Sequence, residues 1–71
     1  MGPNELAALV ALRDTSYSPG ELALRIAALP RDAEGAVGRL VRRGLVELDP
    51  EGIAHITDEG LAHIGAPHVM R

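Results

Sequence analysis

Residues 30–56, PRDAEGAVGRLVRRGLVELDPEGIAHI, contain the features that decide the fold. A tight turn at residues 30–32 leads to Asp32, a favourable N-cap for a third helix over residues 33–43. Gly44 stands where a helix commonly ends in a left-handed residue. Two short apolar runs, 45–48 and 53–56, flank a four-residue turn and predict a β-hairpin.

Helical spacing divides the predicted third helix into two faces. The apolar, inner face is expected to carry Ala33, Ala36, Val37, Leu40 and Val41. The outer face is expected to carry Glu34, Gly35, Gly38, Arg39 and Arg42. The helix is therefore predicted to bury small and branched side chains and to present arginine and glycine to its surroundings.

The N-terminal part of the chain predicts two more helices. Asn4 can cap a first helix over residues 5–13, whose apolar stripe includes Leu6, Leu9, Val10 and Leu12. The sequence SPGE at residues 18–21 has capping-box spacing with proline at the first helical position, so a second helix is expected to begin there. It is predicted to reach about residue 29 and to stop at a proline.

The second helix is expected to bury Leu22, Ile26 and Leu29 and to expose Leu24 on its opposite side. Tyr17, just before this helix, is placed to form a very short strand that pairs with the hairpin. After the hairpin, Thr57 predicts a short last helix with Leu61 and Ile64 as its apolar contacts. Gly65 and Pro67 are expected to end that helix, and residues 65–71 to form a flexible tail.

Length and composition predict one domain over residues 1–71, with its core at about 4–64. The 71 residues include no cysteine, so disulfides and thiolate zinc sites cannot stabilise the core. No apolar run approaches the roughly 18 residues that span a bilayer, and the N-terminus lacks signal-peptide order. A cytoplasmic protein with no membrane association is expected.

The charges are unevenly distributed along the chain. Residues 31–43 hold four arginines and two acidic residues, for a net charge of +2, whereas residues 44–71 have a net charge of −4. The single aromatic residue, Tyr17, excludes the aromatic platforms that bind single-stranded nucleic acids. The positive charge is thus concentrated on the predicted third helix.

The segments RLVRRGLVELDPEG and IAHITDEGLAHI resemble the winged helix-turn-helix transcription regulators of the MarR and ArsR type. Residues in matching register are Leu40, Gly44, Leu45, Val46, Ile56, Thr57 and Gly60. The resemblance covers roughly residues 5–64 and implies a mainly α fold with a small β-hairpin (α+β): a three-helix core, a wing and a short C-terminal helix. It further implies that helix 33–43 is a recognition helix for double-stranded DNA.

The resemblance also implies which residues contact DNA. Glu34, Gly35 and Gly38 would face base edges, Arg31, Arg39 and Arg42 would contact phosphates or guanines, with Arg43 beside them, and Ser18 would abut the backbone. Two glycines and a glutamate offer little for base recognition. Asp49 and Glu51 make the predicted wing tip acidic, where a basic tip is usual in these regulators.

Two functions therefore stay open. The first is a small DNA-binding transcription regulator, with Arg39 and Arg42 as main contacts; the second is a winged-helix module that binds a protein. Because Pro67 shortens the last helix, a homodimer would use the first helix or the Leu24 side. Sedimentation and a DNA titration at two salt concentrations would separate these possibilities.

No catalytic, cofactor or metal site is expected. His55, His63 and His68 have spacings that match no compact metal-ligand motif. Ser16, Ser18 and Thr57 are accounted for by turns and helix caps, and the chain has no glycine-rich phosphate loop. The sequence predicts a non-enzyme.

Overall fold

The structure is a computed structural model that describes residues 2–65; the predicted tail beyond Gly65, with Pro67 and His68, lies outside the described residues. The elements in chain order are α1 (Pro3–Asp14), α2 (Pro19–Arg25), α3 (Pro30–Arg42), β1 (Val46–Leu48), β2 (Ala54–Ile56) and α4 (Asp58–His63). The predicted class, mainly α with a small antiparallel hairpin, is confirmed. Within residues 2–65, no helix has the length and apolar character to cross a membrane.

The core lies where α1, α2 and α3 meet, with the hairpin closing one side. Its buried members are Ala8, Leu9, Leu12, Leu22, Val37, Leu40, Leu45, Val46 and Ala54. Ala33 and Ala36 of α3 are also fully buried, so the predicted inner face of this helix is confirmed, with Val41 packed partly against the core. Small residues on α3 allow close packing against both other helices.

Helix α1 begins two residues earlier than predicted and buries a different stripe. Its N-cap is Gly2, not Asn4, because Pro3 takes the first helical position. Leu9 and Leu12 are buried as expected, but Leu6 and Val10 are 49% and 44% exposed. The buried stripe instead includes Ala8 and Glu5, so α1 is rotated away from the predicted orientation.

Helix α2 begins as predicted and ends four residues early. Ser18 accepts a hydrogen bond from the Glu21 N–H, which confirms the cap. The helix ends at Arg25 because Ala27 adopts a left-handed conformation, with φ of 57°. The Ala27 and Ala28 N–H groups donate to the carbonyls of Leu24 and Ala23, as in a Schellman motif.

This early end changes the predicted burial of the second helix. Leu22 is fully buried and Leu24 is 85% exposed, as predicted, but Ile26 is only partly buried and Leu29 is 56% exposed. Residues 26–29 form the turn between α2 and α3. Pro30 therefore does not belong to a turn but opens α3 at its first position, and Asp32 lies in the first turn of that helix, with Leu29 as the N-cap.

The wing is a short hairpin that is joined to the helical core. Val46 pairs with Ile56, Glu47 with His55 and Leu48 with Ala54. Tyr17 forms the predicted bridge, since its carbonyl accepts a 2.8 Å hydrogen bond from the Ala54 N–H.

The end of α3 and the start of α4 are joined by one compact set of contacts. Gly44, with φ of 79°, ends α3, and its carbonyl accepts a 2.7 Å hydrogen bond from Thr57 Oγ1. The Thr57 N–H donates to the Leu45 carbonyl, and Thr57 Oγ1 accepts from the Gly60 N–H. A Cβ at Gly60 would overlap the Leu45 carbonyl oxygen and lie 2.6 Å from Ile56 Cγ1. Thr57 and Gly60 thus hold the hairpin in one position relative to α3.

We expect Gly60→Ala to lower the free energy of unfolding by roughly 1–3 kcal/mol, because the added methyl group must displace backbone. Gly38→Ala is the matched control, since a Cβ at this helical glycine meets nothing within 4 Å. It is expected to raise stability by about 1 kcal/mol. Urea denaturation of both variants measures the two effects, and an unchanged stability of Gly60→Ala would contradict the close approach.

Candidate nucleic-acid interface

The outward side of α3 is the surface that sequence reasoning assigned to DNA. At 100° per residue, Arg31, Gly35, Gly38 and Arg42 lie opposite the buried face of this helix. Arg31 and Arg42 are eleven residues apart, which is about 16 Å along the axis. Each end of this face therefore carries one exposed guanidinium, and the two glycines lie between them.

The two glycines leave a shallow depression between these arginines. A Cβ at Gly38 would meet nothing within 4 Å, so packing inside the domain does not require glycine there. A Cβ at Gly35 would lie 3.4 Å from Arg39 Nη1. We call Arg31, Gly35, Gly38 and Arg42 the α3 notch.

Arg39 lies at the edge of this outward side and is exposed. Its Nε donates to Oε2 of Glu5 on α1, and the two groups form an ion pair that joins α1 to α3. The Glu5 side chain is only 8% exposed, whereas that of Arg39 is 51% exposed. Because Gly35 has no side chain, the Arg39 guanidinium can lie along the helix and reach Glu5.

Glu5 is the one buried charged residue among the described residues. The hydrogen bond from Arg39, and then that from the Gly2 N–H, lower the pKa of the Glu5 carboxyl against the opposing effect of desolvation. Sequence reasoning placed Glu5 only in a first helical turn and missed this role. A contact across 34 residues leaves no local signal in the chain.

The other predicted contacts fall into three groups. Arg31, Arg42 and Arg43 are exposed, and none of the three forms an ion pair within residues 2–65. Glu34 is exposed on the flank of α3. Ser18 is engaged in the α2 cap, where its hydroxyl both accepts from the Glu21 N–H and donates to the Glu21 carboxylate.

The acidic wing tip differs from its predicted form because Asp49 points into the turn. Its Oδ1 accepts the N–H groups of Glu51 and Ile53, each at 2.9 Å, and its Oδ2 lies 2.9 Å from His55 Nε2. The His55 contact, followed by the Ile53 N–H, lowers the pKa of the Asp49 carboxyl. Of the three acidic residues of the wing, Glu47 and Glu51 are exposed and Asp49 is partly buried.

Ser16 does more than form a turn. Its Oγ lies 2.7 Å from Nδ1 of His55, whose other ring nitrogen contacts Asp49. We call these three residues the wing staple, since they link the α1–α2 connection to the hairpin. The prediction that Ser16 has only a local turn role was therefore wrong.

A groove of about 640 Å³ lies between α1 and the end of α2. The exposed Leu6 and Val10 line it together with Tyr17 and Ile26. Its remaining lining residues are Pro3, Ala7, Ala11, Asp14 and Arg25. This apolar surface was missed at the sequence level because Leu6 and Val10 were assigned to the core.

No protein-family model matches the chain, and no curated protein matches it. Several solved structures do match it. A "probable transcriptional regulator" from Pseudomonas aeruginosa is 30% identical with a TM-score of 0.81, and its match covers 93% of this chain and 55% of that one. The YusO protein of Bacillus subtilis is 22% identical with a TM-score of 0.82, over 93% of this chain and 52% of that one.

A MarR-like transcriptional regulator from Thermotoga maritima is 25% identical with a TM-score of 0.74, again over 93% of this chain and 52% of that chain. The chain thus spans about half the length of these three proteins. The predicted winged helix-turn-helix of the MarR-like regulators is confirmed as the fold.

The Glu5–Arg39 ion pair predicts a specific dependence of stability on pH. Because the pKa of Glu5 is lowered on folding, its contribution is complete above its ordinary value of 4.5 and is lost as the pH falls through the folded value. We expect Glu5→Gln to be less stable than the wild type at neutral pH and the difference to shrink at acid pH. Urea denaturation at several pH values measures it.

Two comparisons isolate this effect. Asp49 loses its contribution in the same acid range, but it does so equally in wild type and in Glu5→Gln. Glu34→Gln, on the exposed flank of α3, is the matched control and is expected to change stability by no more than about 0.5 kcal/mol. A wild-type to Glu5→Gln difference that stays constant with pH would contradict the ion pair.

Proposed function

We propose that this winged-helix domain acts as a transcription regulator that binds double-stranded DNA through α3. The observation that carries the proposal is the α3 notch, in which two exposed arginines stand about 16 Å apart on one face with two glycines between them. A helix enters the major groove, which is about 12 Å wide. Arginines near both ends of the helix then come close to the phosphates on either side.

The glycines allow the axis of α3 to approach the floor of the groove more closely than a helix with long outward side chains. They offer no side-chain donors or acceptors to base edges, and Glu34 can accept only from a cytosine amino group. Phosphate contacts position a protein and dominate its affinity, whereas base contacts specify sequence. We therefore assign α3 mainly to backbone binding.

Arg39 has a different role in this proposal from that of Arg31 and Arg42. Its guanidinium is held by Glu5, so its first function is to fix the angle between α1 and α3. Arg42 and Arg31 become the main DNA contacts, with Arg43 at the end of the helix as a third. Ser18, engaged in its cap, places the start of α2 beside the DNA backbone.

The structural neighbours support a DNA partner over a protein partner, because two of the three are described as transcriptional regulators. The exposed arginines of α3 support it independently. We also propose that the domain is not an enzyme, uses no cofactor and is located in the cytoplasm, where bacterial DNA is found.

Fluorescence anisotropy with a short labelled DNA duplex tests the proposal between about 50 mM and 200 mM salt. The wild type is expected to bind with an affinity that falls steeply with salt. Arg42→Ala is expected to weaken binding and to reduce the slope of log K against log salt by about one unit, because one phosphate contact is lost. Absence of binding at the lowest salt would overturn the proposal.

Arg13→Ala is the matched control for Arg42→Ala. It also removes one exposed arginine charge, but from α1, where Arg13 is paired with Asp14. We expect its salt slope to match that of the wild type. Equal losses for the two variants would indicate a general charge effect and would contradict binding through α3.

We further propose that the domain forms a homodimer through α1. Leu6 and Val10 are exposed near the middle of this helix and line the groove, whereas Leu24, the other candidate, stands alone on α2 at 85% exposure. In an interface with two-fold symmetry, the same patch of both copies meets. The exposed apolar residues at the middle of α1 can therefore pack against the same residues of the second copy.

Sedimentation velocity over a range of protein concentrations tests the dimer. We expect the wild type to dimerise. Val10→Glu is expected to be monomeric, because a dimer would bury the unpaired glutamate charge in its interface. Leu24→Glu is expected to remain dimeric. Circular dichroism confirms that each variant is folded. A wild type that is monomeric at every concentration, or a Leu24→Glu variant that alone dissociates, would contradict this interface.

A further inference from the structure

The wing staple joins the connection between α1 and α2 to the hairpin, and its Ser16–His55 contact spans 39 residues of sequence. Ser16 lies in the connection between α1 and α2, His55 in β2 and Asp49 in the wing turn. The backbone hydrogen bond from Ala54 to Tyr17 lies directly beside it. The side chains therefore reinforce the single backbone link between the hairpin and the helical core on this side.

The staple can form with His55 in either charge state. In the neutral ring, Nε2–H donates to Asp49, and Nδ1 accepts from the Ser16 hydroxyl. In the protonated ring both nitrogens donate, so Ser16 becomes an acceptor and the contact with Asp49 becomes an ion pair. Hydrogen bonds in which one or both groups are charged are shorter and stronger than neutral ones.

The charges around His55 are mainly negative. Across the hairpin its strand neighbour is Glu47, and Glu51 lies in the same turn as Asp49. The charged residues that precede Ser16 in the chain are Arg13 and Asp14, which pair with each other. Protonation of His55 therefore offsets part of the negative charge that repels DNA phosphates from the wing.

We propose that His55 is a positioning residue whose protonation tightens the wing staple and reduces the negative charge of the wing, so that DNA binding strengthens as the pH falls. This inference rests on the proposed DNA-binding function. Histidine is the side chain that changes charge between about pH 5 and pH 8. The wing is the responsive element, and α3 supplies the main contacts at every pH in this range.

The first measurement needs no DNA. In two-dimensional NMR spectra of the full chain, the Ser16 amide is expected to shift along the titration curve of the His55 ring. In His55→Gln this shift is expected to disappear, while His63→Gln, the matched control on α4, leaves it unchanged. A Ser16 amide that does not follow His55 would overturn the staple as a proton-responsive link.

The second measurement is the affinity for DNA at about pH 5 and at about pH 8, at constant ionic strength. The wild type and His63→Gln are expected to bind about threefold more tightly at the acid end, a size typical of one surface charge pair. His55→Gln is expected to show a ratio near one. A His55→Gln variant that keeps the wild-type ratio would overturn the proposal.

The two measurements separate this inference from the proposed function. Absence of DNA binding at both pH values would overturn the DNA function and, with it, the pH effect on affinity. The NMR titration would then still decide whether the staple responds to protonation. DNA binding with equal affinity at both pH values would overturn the inference alone.

Discussion

The fold depends on the contact between the end of α3 and the start of α4. Thr57 donates its hydroxyl proton to the Gly44 carbonyl and its N–H to the Leu45 carbonyl, while Gly60 lies against Leu45 with no room for a side chain. Gly44 supplies the left-handed turn that brings these groups together. Together with the Tyr17–Ala54 hydrogen bond and the wing staple, this junction fixes the direction of the hairpin relative to the helix that it follows.

One face of helix α3 packs into the core, and the opposite face carries the α3 notch. Its small inner residues allow α1 and α2 to pack closely, and its outer glycines leave a depression between two arginines. Glu5 and Arg39 connect the two faces, because this ion pair fixes α1 against the helix that carries the notch. A buried carboxylate is costly to desolvate, and hydrogen bonds from both Arg39 and Gly2 offset that cost here.

Much of the fold could be predicted from local chemistry. The Ser18 cap, the Gly44 helix end and the Thr57 cap follow from residues close together in sequence, and all are confirmed. The predicted bridge between Tyr17 and the hairpin is confirmed as well. The end of α2 could not be predicted, because an alanine rather than a glycine adopts the left-handed conformation there. Nothing at position 27 distinguishes it from the helical alanines around it.

The site was harder to predict than the fold because its geometry depends on contacts between distant residues. The periodicity of α3 correctly placed Gly35, Gly38 and Arg42 outside, but Arg39 turns back to Glu5, 34 residues away. Similarly, Asp49 was predicted to be a repulsive wing-tip charge, whereas it accepts hydrogen bonds inside the turn and contacts His55. In both cases, sequence spacing does not encode which partner the charged side chain selects.

Amide chemical shifts test, residue by residue, whether the α3 notch contacts DNA. In a titration of the isotopically labelled chain with a DNA duplex, we predict the largest changes at the amides of Gly35 and Gly38. The Gly52 amide at the wing tip should change much less. Changes confined to the wing or to the α1–α2 groove, with Gly35 and Gly38 unmoved, would contradict DNA binding through the α3 notch.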